Sequence, residues 1–215
     1  MVRALLDGSK TQTRRMLRFQ PEQQANGLWH IGNAGGGIVN IPTEEVGAFA
    51  VDYAPWAIGD RLWVRERCAN WAEGQVWRRS WLREADLSAC ATSSVRKKPG
   101  QRAAFHMPRK DSRLTLVVTD VRVQRLHDIS PDDVTAEGIE TAPRSAFDFK
   151  TGKYLPGFCL PQGGFSNLPG AHKTAFAQLW DSLHGPDAWA ANPWVAAISF
   201  RVIHANIDAP EAQAA

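Results

Sequence analysis

The last apolar run of the chain, residues 195–203, places Ile198, Phe200 and Val202 on one face of an extended strand and Ser199 and Arg201 on the other. Such a strand needs a sheet to lie in. Two further runs can supply it: residues 61–66, after the turn signal Gly59-Asp60, and the β-rich residues 114–119 continuing through 121–123. Short helices fall between these runs without a regular strand–helix repeat. That argues against a doubly wound parallel sheet and predicts an α+β fold around a small antiparallel sheet or barrel.

Three helices are marked by their ends. The first covers residues 2–6 and is stopped by Gly8. In the second, Ser130 caps Pro131 at the first helical position, and Asp132 and Asp133 sit in the first turn, where the dipole favours them. Gly138 ends that helix after barely two turns. In the third, around residues 171–183, Phe176, Leu179, Trp180 and Leu183 form an apolar stripe that Gly185-Pro186 closes. Residues 19–57, 69–104 and 141–171 read as insertions into one domain spanning 1–204, with 205–215 as a tail.

Composition narrows the class. Hydrophobic content of 44% and charged content of 22% over 215 residues suit a globular domain and exclude a disordered chain. No apolar run has membrane-spanning length, and the first residues are too polar for a signal peptide. Cys68, Cys90 and Cys159 form no C-x-x-C pair, which predicts reduced thiols in a cytoplasmic protein with no membrane partner. Charge is unevenly spread: five basic and one acidic side chains fall in residues 1–20, and fifteen against six in residues 61–125. With tryptophans interleaved among the arginines, that distribution admits a nucleotide or nucleic-acid partner.

The phosphate-loop, dinucleotide, zinc-protease and serine-hydrolase signatures are all missing. Six scattered histidines lack ligand spacing, so neither metal nor cofactor is expected. The richest segment is Gly8-Ser9-Lys10-Thr11-Gln12-Thr13-Arg14-Arg15. Read as a loop, it turns Lys10 toward Thr13, three residues on. A threonine hydroxyl attacks only once a base has taken its proton. Lysine serves as that base only when uncharged, a state that burial and the cations Arg14 and Arg15 favour. Glu137 ends the Ser130-capped helix, where the dipole disfavours a carboxylate and suits a proton donor. Glu66 shares a strand face with Leu62 and Val64 and needs a cationic partner, for which the first loop is the candidate.

These pieces, in this order, resemble the ASCH superfamily of PUA-like β-barrels. The resemblance rests on the first-loop segment, on Gly59-Asp60-Arg61-Leu62-Trp63-Val64-Arg65-Glu66, on Ser130 through Ile139, and on Leu179-Trp180-Asp181-Ser182-Leu183 with the final strand. The chain looks most like members from phages, prophages and metagenomes. The resemblance implies a small PUA-like barrel flanked by short helices, with a pocket at one end. It also implies an amidohydrolase that removes the acyl group from N4-acetylcytidine-type nucleosides, with Lys10, Thr13 and Glu137 as the catalytic set. Arg15, Trp63, Arg65 and Glu66 are then the expected substrate-binding residues. Other members of the superfamily are thought to bind or cleave RNA, so a non-catalytic RNA-binding module or a ribonuclease is the alternative expectation. A vestigial pocket in a phage accessory protein is a third. Two departures stand out: the three insertions make this chain much longer than the amidohydrolases it resembles, and the strand that usually precedes the first helix is missing. The latter leaves either an upstream start or an incompletely closed barrel.

Overall fold

The computed structural model describes residues 2–32, 40–66, 68–70, 76–78, 100–102, 104–148 and 153–213. The fold is mixed α+β, with a curled antiparallel half-barrel sheet and a few short helices. Four strands build that sheet: β1 (Gln12–Met16), β4 (Arg61–Trp63), β8 (Thr115–Arg125) and β12 (Trp194–Ile203). Their order is β1-β12-β8-β4, every pair antiparallel. β8 and β12 form the long central pair, as the two β-rich runs predict, with a bulge between Ser199 and Phe200. β1 and β4 are therefore opposite edges of one sheet, which separates the first-loop residues from Trp63.

The alternation in the final run holds only in part. Trp194 through Ile198 are all buried, because both faces of the sheet are covered there. One face packs Ala196, Ile198, Val121 and Val123 against Trp29, Ile31, Ile41, Val46 and Ala50. On the other, Val195 joins Leu126, Val134, Phe158, Phe176 and Trp180.

Much of the first cluster comes from residues 19–57, so this stretch is core rather than ornament. It supplies the pair β2 (Glu22–Gln23) and β3 (Trp29–His30), together with the helix α2 (Val46–Val51). A Cβ on Gly47 would lie 2.7 Å from the Val123 carbonyl oxygen, so glycine is what lets α2 sit directly on β8. Residues 69–104, the second expected insertion, lie mostly outside the described residues. Those that are described form a small sheet of β5 (Cys68–Asn70), β6 (Val76–Arg78) and β7 (Gly100–Arg102). The third expected insertion folds as a sheet of β9 (Thr141–Asp148), β10 (Lys153–Cys159) and β11 (Phe165–Ser166).

The helices follow their caps. α1 is Val2–Leu6 and α3 is Pro131–Ala136. Ser130 Oγ accepts from the Asp133 backbone N–H, and the Asp133 carboxylate accepts from the Ser130 N–H, closing a capping box. α4 runs Ala171–His184 and buries Ala175, Phe176 and Trp180. The short α5, Pro210–Gln213, follows β12. Among the described residues no helix is long and apolar enough to cross a membrane.

Candidate active site

The segment expected to be a loop is the edge strand β1, with Lys10 extending its pattern through an isolated bridge to Glu137. From Lys10 onward burial alternates: Lys10, Gln12 and Arg14 are buried, Thr11 and Arg15 exposed and Thr13 intermediate. A strand with a side-chain period of two therefore directs three long polar side chains inward. Burying them demands partners, and α3 supplies these. Asp133 and Glu137 are four residues apart, so they share one face of the helical turn.

The two faces mesh. Lys10 Nζ lies 2.6 Å from Glu137 Oε2 and also donates to the Glu137 carbonyl oxygen at 2.8 Å. Arg14 Nη1 donates to Gln12 Oε1 at 2.7 Å and to Glu137 Oε1 at 3.3 Å. Its Nη2 stands 2.8 Å from Asp133 Oδ2, close enough for an ion pair, with the N–H off the line of a hydrogen bond. Asp133 Oδ1 accepts from Arg122 Nη2 at 3.0 Å. Burial, the largest influence on Asp133, pushes its pKa up. The Ser130 backbone N–H, the Arg14 charge and hydrogen bonds from Arg122 and Gln12 outweigh it and hold the carboxyl at about 2.

Backbone geometry brings the amine and the carboxylate together. The Lys10 N–H donates to Ala4 O and the Thr11 N–H to Ala136 O, tying the segment to both α1 and α3. Gly138, at φ +87°, ends α3 directly beneath Lys10. A Cβ there would fall 3.1 Å from the Ala4 Cβ and 3.2 Å from the Lys10 Cβ.

These residues form one wall of a cavity of about 400 Å³, within the span of small-molecule sites. Lys10, Thr13, Arg14, Arg15, Glu137 and Glu140 supply its polar side. The opposite wall is the apolar stripe of α4, with Phe176, Leu179, Trp180 and Leu183. His184 tilts against Trp180 at 4.1 Å between ring centroids, and Cys159, Leu160 and Pro161 close the third side.

Of the residues singled out from sequence, Lys10, Thr13, Glu137 and Arg15 converge on this cavity. The route differs from the expected one. Because the segment is a strand, Lys10 and Thr13 point to opposite faces, and they share the cavity because β1 is a sheet edge. Trp63, Arg65 and Glu66 do not line it: they belong to β4 and the residues after it, at the other edge of the sheet. The Arg65 guanidinium stacks over the Trp63 ring at 4.7 Å. Glu66 is buried three residues beyond the end of β4, not on a strand face, and Arg113 grips it through two hydrogen bonds of 2.9 Å in place of the expected cation from the first segment. The aromatic rings that line the cavity are Phe176 and Trp180 instead.

Sequence reasoning used Arg14 only as a cation near Lys10 and Asp133 only as a first-turn acid, and gave neither a place in the site. Their signal was the polar alternation Lys10, Gln12, Arg14 and the four-residue spacing of Asp133 and Glu137, which an apolar pattern search does not register. Among the described residues, no cluster of three metal-binding side chains occurs. Comparison with family models, curated proteins and solved structures finds no match to this chain.

Proposed function

We propose that the cavity is the active site of an amidohydrolase that removes the acyl group from N4-acylated cytosine nucleosides, on a small PUA-like barrel of the ASCH type. The observation that carries this reading is the 2.6 Å contact between Lys10 Nζ and Glu137 Oε2 in a cavity whose lining includes Thr13. In such a pair, passage of one proton to Glu137 leaves an uncharged amine beside a carboxylic acid, the two states that base and acid catalysis require. Lys10 takes the Thr13 hydroxyl proton, through one water that bridges the strand faces. The threonine oxygen attacks the amide carbonyl, and Glu137 returns its proton to the departing exocyclic nitrogen, giving the cytosine nucleoside and an acyl-threonine ester. Water, activated by the same couple, then releases the carboxylate and restores Thr13. The exposed Arg15 at the rim is placed to hold a carbonyl or sugar oxygen, and the Phe176 and Trp180 wall to face the base.

The test is incubation of the purified protein with N4-acetylcytidine and quantitation of cytidine by chromatography. Turnover by the wild type that disappears in Lys10→Ala, Thr13→Ala and Glu137→Ala is the expected result. A wild-type protein that leaves N4-acetylcytidine intact overturns the reading.

A further inference from the structure

We propose that the outer half of the α4 stripe and the turn after β10 form an acyl-chain subsite, and that the chain it favours is longer than acetyl. This inference rests on the amidohydrolase reading above. It names the N4-acylated nucleosides that suit this cavity: those carrying linear acyl groups from butanoyl to hexanoyl.

Burial changes along the stripe. Phe176 and Trp180 are each 2% exposed and belong to the core, Leu179 is half-buried, and Leu183 is 59% exposed. All four line the cavity. At about 1.5 Å per residue, Leu183 lies about 10 Å along the helix axis from Phe176. The Phe176 ring centroid stands 5.6 Å from Arg14 Cζ, and Arg14 pairs with Glu137. The stripe therefore begins beside the charged end of the cavity and runs outward. At its outer end, Leu179 and Leu183 leave apolar surface that the core does not cover.

The turn after β10 adds more apolar contact and almost no hydrogen bonding. α4 packs on β10 and β11, and Leu160 and Leu179 border the same core cluster. The backbone donors of the turn already have acceptors: the Cys159 N–H donates to Glu140 O and the Leu160 N–H to Gly164 O. Leu160 O accepts from the Gly163 N–H, and Pro161 has no N–H to give. The Cys159 thiol is a weak donor, and His184 is tilted onto the Trp180 ring. A ribose placed here would give up hydrogen bonds to water without replacing them. A hydrocarbon chain gains by leaving water. The sugar has a polar rim of its own, since Arg15 and Glu140 are exposed and line the same cavity. With the amide at Thr13, the sugar side thus meets those charges, and the acyl side lies among Leu160, Pro161, Leu179 and Leu183. A cavity of about 400 Å³ is of the size that encloses drug-like ligands, which leaves room beyond a base and an acetyl group.

The experiment offers N4-acetyl-, N4-butanoyl- and N4-hexanoylcytidine to the full chain as wild type, Leu179→Ala and Leu183→Ser. Folding is followed by circular dichroism and released cytidine by chromatography. In the wild type kcat/KM rises about threefold for each methylene added, mainly through KM. Leu183 is exposed, so Leu183→Ser folds as the wild type does, and its ratio of hexanoyl to acetyl kcat/KM falls by about fivefold. Leu179→Ala, nearer the charged end, also lowers the ratio of butanoyl to acetyl, by about threefold. A wild type that hydrolyses the acetyl compound as well as the hexanoyl one overturns the proposal. So does a chain-length dependence that survives in both variants. If Leu179→Ala does not fold, Leu183→Ser decides alone. If the wild type hydrolyses none of the three, the amidohydrolase reading falls, and dissociation constants from titration calorimetry decide on the subsite. Affinity that rises with chain length in the wild type, and less steeply in Leu183→Ser, supports it. Affinity independent of chain length, equal slopes in the two proteins, or no binding overturns it.

Discussion

Lys10 Nζ and Glu137 Oε2 stand 2.6 Å apart, joined across 127 residues of sequence by a strand edge and the end of a six-residue helix. Two periodicities make the contact. The strand repeats every two residues and presents Lys10, Gln12 and Arg14; the helix returns after four and presents Asp133 and Glu137. An interface of this kind has no apolar seam. It closes only if every charge meets its counterpart, so the same contacts that dock α3 on β1 also organise the cavity wall.

Glu137 sits between two cations, Lys10 and Arg14, which makes the members of this cluster unequal. Lys10→Met leaves Glu137 with Arg14 as its counter-charge and is expected to cost about 1 kcal/mol. Glu137→Gln takes the carboxylate from buried Lys10 and leaves Arg14 with Asp133, and is expected to cost about 3–5 kcal/mol. Urea unfolding of the two variants at neutral pH measures the difference. Equal losses would mean that Arg14 does not replace Lys10 as the counter-charge of Glu137.

Gly138→Ala tests how closely Lys10 is packed. The substitution places a methyl at φ +87° within 3.1–3.2 Å of two Cβ atoms. Left-handed strain of about 1 kcal/mol adds to the steric push, for a combined loss of about 2–3 kcal/mol. Because the push falls on Lys10 itself, turnover of N4-acetylcytidine is expected to drop by more than tenfold even at temperatures where the variant is fully folded. Calorimetry and kinetics on one preparation read both.

How much of this could be read in advance depended on what each residue touches. The ends of α3 and α4 were legible because a capping serine with proline, and a glycine followed by proline, act locally and need no tertiary partner. The central pair β8–β12 was legible from its β-branched and apolar runs. β1 was not: its buried face is Lys10, Gln12 and Arg14, and a polar row has no apolar period to detect until α3 is placed beside it. The core role of residues 19–57 was hidden for a related reason. Trp29, Ile41 and Val46 come from elements of two to six residues or from single positions, too short to show periodicity. Lys10, Thr13 and Glu137 were singled out together only through resemblance to a known arrangement, whereas their meeting in one cavity depends on sheet order. Trp63 and Arg65 fell outside it for the same reason, since their strand occupies the far edge.

Acid is expected to weaken the α3 anchor. Asp133 has a pKa lowered from 3.8 to about 2 in the folded protein, so its contribution is complete above the unfolded value and is lost as pH falls through the folded one. After allowance for solvent screening, that contribution is on the order of 1–2 kcal/mol. Asp133→Asn should therefore be less stable than wild type at pH 7, with the gap narrowing as pH falls from about 4 to about 2. Denaturation curves across that window check it. A gap independent of pH would assign the loss to the capping box alone.

Glu66→Gln separates stability from chemistry. Glu66 is 3% exposed and holds Arg113 through both oxygens, and its backbone N–H points at the Met107 sulfur at 3.1 Å. The pair braces the segment after β4 against residues 107–113, across the sheet from the cavity. Neutralising the carboxylate removes the negative charge that grips the mostly covered Arg113 guanidinium through two hydrogen bonds. A loss of about 3 kcal/mol in unfolding free energy is expected. The catalytic constants of the folded variant should match wild type within about twofold, because neither β12 nor β8, which stand between the two edges, changes its register. A parallel fall in kcat at full folding would place Glu66 within the active site and would contradict the separation of the two sheet edges on which the site assignment depends.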